Sequence, residues 1–153
     1  QESRELKALS ASEVSALLAG KGMGLAKSAE LNGYPGPAHV LELKSELQLS
    51  ADQQMRTEAL FQAMEAKASA LGRRLVTEER SLEEMFASGG ATESGLATAT
   101  AKIGAVQGEL RGVHLAAHIE QTRILTREQI MRYATLRGYD RTTAPTSSHS
   151  HNH

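Results

Sequence analysis

His114-Leu-Ala-Ala-His118 is the sharpest chemical feature of the sequence. On a helix, a spacing of four puts both imidazoles on one face, within reach of a single metal ion. Neutral imidazole with a carboxylate is a donor set that Zn, Cu, Ni and Co all accept. Glu58 and Glu65 fall on the facing stripe of an earlier helical stretch. Pairing the two stretches about their shared turn sets Glu65 opposite residue 116, between the two histidines. His114, His118 and Glu65, with Glu58 in reserve, are therefore the expected ligands of one divalent transition metal. A second supply of imidazole lies in His149-Ser-His-Asn-His153, where His149, His151 and His153 alternate with small polar residues and read as a flexible metal-capturing tail. His39 is a further candidate that can equally cap or pack locally.

Other chemistries find little purchase. Gly20-Lys-Gly-Met-Gly24 lacks the Lys-Ser/Thr that closes a phosphate loop, and no strand pattern precedes it. No G-x-S-x-G, H-E-x-x-H or nucleophile–base arrangement occurs, so no enzyme is expected. There is no cysteine, which removes disulfides and thiolate ligands. Seventeen Lys and Arg against 18 Asp and Glu give a net charge of −1, and no basic patch with interleaved aromatics points to nucleic acid. The absence of any run of 18 apolar residues leaves no membrane span. A start at Gln1 rather than Met suggests a processed or trimmed N-terminus, from which a signal peptide or anchor could have been removed.

The elements that must position these residues are helices. Hydrophobic residues make up 40% of the chain but aromatics only 3%, which suits a helix–helix seam of Leu, Met, Val, Ile and Ala. Ser10-Ala-Ser-Glu13, Ser50-Ala-Asp-Gln53 and Thr126-Arg-Glu-Gln129 each have the form of a capping box. The first opens a short helix through Leu18. Asn32-Gly-Tyr-Pro-Gly-Pro37 breaks the chain, and a short helix is expected from about Ala38 to Leu47. Ala51 to Ala87 and Glu93 to about Arg123 are long proline-free stretches on either side of Ser88-Gly-Gly-Ala-Thr92. Phe61, Met64, Ala68, Leu71, Leu75, Leu82 and Met85 in the first, and Leu96, Ala99, Ile103, Val106, Leu110, Val113 and Ala117 in the second, recur at steps of three and four, a heptad stripe. The expected fold is all-α: a long antiparallel helical hairpin with short flanking helices. Leu60, Val76, Phe86, Leu115 and Ile119 lie off the seam and call for a second layer, so an intertwined homodimer is expected. Gly104, Gly108 and Gly112 repeat every fourth residue, either for close helix approach or as a local softening.

Leu49-Ser-Ala-Asp-Gln53 and Leu125-Thr-Arg-Glu-Gln129, one on each side of the long hairpin, resemble the paired L-T-x-x-Q motifs of the Spy/CpxP group of periplasmic proteins. Ser replaces Thr in the first copy and is equivalent as a cap. The resemblance spans roughly His39 to Tyr139 and implies a cradle-shaped helical dimer in the periplasm. Some members hold unfolded clients without ATP; others bind or sense transition metals. Metal-sensing members carry an upstream His-x3-His and a His-x3-Met on the second arm, whereas this chain has only His39 upstream and His-x3-His on its second arm. The expected organisation is an N-terminal segment over 1–36, a hairpin domain over 37–139 and a disordered tail over 140–153. The expected function is to buffer or sense a divalent transition metal in the periplasm, in metal resistance or envelope stress. The alternative is an ATP-independent periplasmic holdase chaperone. Unfolded clients or a membrane signalling partner complete the expected partners.

Overall fold

The computed structural model describes residues 8–140. Of these, 75% are helical, and there is no strand among them. The tail histidines His149, His151 and His153 and all of the expected disordered tail beyond Asp140 lie outside the described residues. Six helices follow one another: α1 (Ala11–Leu18), α2 (Lys27–Glu30), α3 (Pro37–Glu42), α4 (Ala51–Ala87), α5 (Glu93–Ile124) and α6 (Arg127–Arg137). Two long helices, α4 and α5, pack together. No helix among the described residues is long and apolar enough to cross a membrane.

The three capping boxes all form. Ser10 accepts from the backbone N–H of Glu13, whose carboxylate accepts from Ser10 N–H. Ser50 and Gln53 exchange the same two bonds at 3.0 and 2.9 Å, and so do Thr126 and Gln129 at 3.1 and 2.9 Å. Each box satisfies two of the amides that a helix start otherwise leaves unpaired. Thr92 caps α5 by accepting from Gly95 N–H at 3.0 Å. Gly89, just past the end of α4, and Gly138, at the end of α6, take φ of 77° and 81°, the left-handed conformation that closes a helix most cheaply with glycine. The helix expected over Ala38–Leu47 runs only from Pro37 to Glu42. Turn bonds such as Leu47 N–H to Leu43 carbonyl take over, and Gln48 reverses the chain at φ 54°.

The chain divides into two compact units, each with its own core. The first comprises residues 8–25 and Ala63–His114. Its core contains Ala68, Leu75 and Val76 from α4 and Ile103, Val106 and Leu110 from α5, with Val14 and Leu17 from α1. Val76, which falls off the heptad stripe, is thus covered by the chain itself. α1 comes close because residue 72 is glycine: a Cβ there would overlap the carbonyl of Leu17. Ser69 fixes the same contact by donating to Leu18 carbonyl at 2.7 Å.

The second unit comprises Ala26–Gln62 and residues 115–140. Its core joins Val40, Leu47, Leu125 and Tyr133, with Leu43, Leu49, Ile130 and Tyr139 packed against them. Leu49 and Leu125, the residues that precede the two long-range capping boxes, share this one cluster. Thr57 and Gln121, both fully buried, pair across the two long helices at 3.0 Å.

Candidate functional site: a buried carboxylate and a paired motif

Glu30 ends the one-turn helix α2, and its carboxylate is the polar centre of the second unit. It accepts from Tyr133 OH at 2.8 and 2.9 Å, from Tyr139 OH at 2.7 Å and from Gly36 N–H at 2.9 Å. His118 Nε2 lies 3.1 Å from Glu30 Oε2, with both side chains about nine-tenths buried. Each partner arrives from a different element: His118 from α5, Tyr133 from α6, Tyr139 from just beyond it, and Gly36 from the turn before α3. Residue 36 has to be glycine, because any Cβ would overlap the His118 ring. The flanking Pro35 and Pro37 stiffen that turn.

Burial raises the Glu30 pKa, since it disfavours a charge. The hydrogen bonds from His118, Tyr139 and Tyr133, with the charge of His118, outweigh it and hold the carboxyl at about 2. The same contacts act oppositely on the phenols. Burial first, then the Glu30 charge, pushes Tyr133 well above the ordinary tyrosine range and raises Tyr139 as well. The Tyr133 and Tyr139 rings sit 6.2 Å apart, and the Arg137 guanidinium lies 5.6 Å from the Tyr139 ring centroid.

The second arrangement links the paired motifs. Gln53 Nε2 donates to Gln129 Oε1 at 2.7 Å, and Gln129 Nε2 donates back to Gln53 Oε1 at 3.0 Å. Each amide also donates to a backbone carbonyl, Gln53 to Ile124 and Gln129 to Leu47. The glutamine that closes each capping box therefore reaches across to the other box.

The sequence-selected metal candidates take the following places. His114 is 2% exposed and belongs to the first unit, where its Nδ1 would be 3.6 Å from a Cβ on Gly22. His118 is 8% exposed in the second unit and turns to Glu30. Glu65 is half-buried, and Glu58 is exposed, accepting from Gln54 at 3.2 Å. His39 is half-buried in α3, where its carbonyl accepts from Leu43 N–H. Among the described residues, no three His, Asp or Glu side chains are grouped to hold a metal ion. The carboxylate that meets His118 comes from the short helix α2, a source that pairing of the two long helices does not consider.

Sequence reasoning passed over Glu30, Tyr133 and Tyr139, though a signal existed. Glu30 is the one acidic or basic residue, histidine aside, between Lys27 and Glu42, and Tyr133 and Tyr139 are two of only three tyrosines in an aromatic-poor chain. Comparison with family models, curated proteins and solved structures finds no match to this chain.

Proposed function

We propose that the protein is an ATP-independent holdase of the bacterial periplasm, of the Spy/CpxP kind, with α4 and α5 forming an antiparallel hairpin that works as an intertwined homodimer. The observation that carries this reading is the reciprocal Gln53–Gln129 bond, with Leu49 and Leu125 in one core. The two motif copies behind the resemblance are joined to each other, rather than being two unrelated helix caps. The hairpin is supported by Leu71 and Leu75 sharing a core with Val106 and Leu110. Leu31, Met55, Ile119, Met131 and Leu136 of the second unit are exposed, Met55 and Met131 at 64%. Unbranched, polarisable Met side chains adapt to varied apolar partners. Phe86 and Ile119, 59% and 45% exposed, are the off-seam residues left for a second subunit to cover.

Aggregation of a chemically unfolded client on dilution from denaturant, followed by light scattering, tests the function. Equimolar protein slows it without ATP; unchanged curves at tenfold excess end the holdase reading. Light scattering that gives 16.4 kDa at tens of micromolar ends the dimer.

A second reading, capture of a divalent transition metal for buffering or sensing, is favoured by the contact of His118 with Glu30, since imidazole and carboxylate are the donor types such ions take. Calorimetric titration with Zn(II), Cu(II), Ni(II) and Co(II) tests it on a full-length variant in which His149, His151 and His153 are replaced by Ser. One site per chain supports the reading, and loss of all binding assigns the metal to the tail.

A further inference from the structure

We propose that Glu30, His118, Tyr133 and Tyr139 form a binding site for ferric iron. The proposal is independent of the holdase reading. It deepens the metal reading by replacing the divalent ion with a hard trivalent one and by adding two phenols to the ligand set.

Four side chains capable of binding a metal converge on one point from sequence-distant elements. Both Glu30 oxygens, the two phenol oxygens and His118 Nε2 are linked through contacts of 2.7–3.1 Å. Carboxylate and imidazole ligands bind small first-row ions at about 2.0–2.2 Å. Neighbouring ligands at right angles around such an ion are then about 2.8–3.1 Å apart, from the same bond lengths. The contacts that His118, Tyr133 and Tyr139 each make with Glu30 fall within about that range, and the ion would take the place of the protons shared in them.

Charge selects the ion. A buried ion is stable only if its ligands neutralise it. One carboxylate and two phenolates supply three negative charges, and the imidazole is neutral. That set balances a trivalent ion and overcharges a divalent one. Anionic oxygen donors are hard ligands and match Fe(III) rather than the softer ions that thiolate or thioether selects. Binding is a ligand exchange without redox. Two phenol protons leave to solvent, the proton that His118 Nε2 donates to Glu30 is given up so that the ring keeps one proton, on Nδ1, and Glu30 stays ionised throughout.

The phenols supply a direct readout. Fe(III) bound by tyrosinate absorbs visible light through ligand-to-metal charge transfer, which imidazole and carboxylate alone do not give. The chain has three tyrosines, and none lies beyond Tyr139, so the tail histidines cannot produce the band. Full-length protein is titrated with ferric nitrilotriacetate at neutral pH. The expected result is a visible band that saturates at one iron per chain and survives in Tyr34→Phe. Tyr139→Phe shifts and weakens it, and the Tyr133→Phe/Tyr139→Phe double variant lacks it, with helicity followed by circular dichroism. Absence of a band in the unmodified protein at fivefold excess overturns the proposal without recourse to any variant. A band that persists in the double variant, or that disappears in Tyr34→Phe, also overturns it. Zn(II) or Ni(II) binding without the ferric band retains the divalent reading and rejects this one.

Discussion

Gln53 and Gln129 exchange two side-chain amide hydrogen bonds across 76 positions of sequence, while each also closes the capping box of its own helix. Every polar atom of both amides is engaged in this way. Truncating either residue strands the other amide and a buried carbonyl, and unsatisfied buried polar groups cost about 1–3 kcal/mol each. Gln53→Ala and Gln129→Ala should each destabilise by roughly 2–3 kcal/mol in urea unfolding. The double variant should fall short of the sum by about 1 kcal/mol or more, since residues in one network are not additive. Additive losses would reduce the two motifs to independent caps.

The local half of this arrangement is legible in the sequence and the long-range half is not. Ser50 with Gln53 and Thr126 with Gln129 mark helix starts because a cap operates within four residues. The heptad stripes mark α4 and α5 for the same reason: their periodicity is a property of one helix at a time. The Glu30 cluster joins residues 88, 103 and 109 positions apart. Its short helix α2 carries no periodicity, and its place is set by tertiary packing. Register arithmetic between two long helices can offer only residues of those helices, such as Glu65, as acids near the histidine pair, and Glu30 belongs to a third element. Glycine is the converse case. Gly72 looks like a flaw in a long helix until α1 is seen lying against it.

The glycines divide into two kinds that substitution should separate. A Cβ at Gly72 would overlap the Leu17 backbone, which cannot rotate away, whereas a Cβ at Gly104, Gly108 or Gly112 meets nothing within 4 Å. Gly72→Ala should therefore lower stability by about 1–3 kcal/mol, the usual range for overpacking, despite alanine's better helix propensity. Gly108→Ala should raise the stability of the isolated chain by up to about 1 kcal/mol. Thermal unfolding read by circular dichroism measures both. A destabilising Gly108→Ala whose effect grows with protein concentration would instead place that face in a subunit interface.

The exposed methionines give the holdase reading a local test. Met55 and Met131 belong to the second unit and are each 64% exposed, so replacing them should leave the core intact, with stability changed by less than about 0.5 kcal/mol. Met55→Lys with Met131→Lys should keep the melting temperature but weaken client protection several-fold in the aggregation assay. Full protection by this double variant would move the client surface away from these residues.

Glu30 makes the stability of the protein depend on acid. Its folded-state pKa of about 2 lies below its ordinary value of 4.5. A lowered carboxyl pKa contributes stability that is fully present above 4.5 and is lost as pH falls from there through 2, because the unfolded chain takes up the proton first. The difference corresponds to roughly 3 kcal/mol at neutral pH, at about 1.4 kcal/mol per unit. The large effect is reasonable for a side chain 11% exposed that four donors surround. Glu30→Gln keeps the shape and one accepting oxygen but cannot carry the charge. It should cost up to that amount at pH 7, and the cost should shrink toward zero near pH 2. Urea unfolding of the two proteins at pH 7, 4.5 and 3 would trace this convergence. A constant difference across the three pH values would mean that Glu30 contributes by shape and hydrogen bonding alone, and that its ionisation does not hold His118, Tyr133 and Tyr139 together.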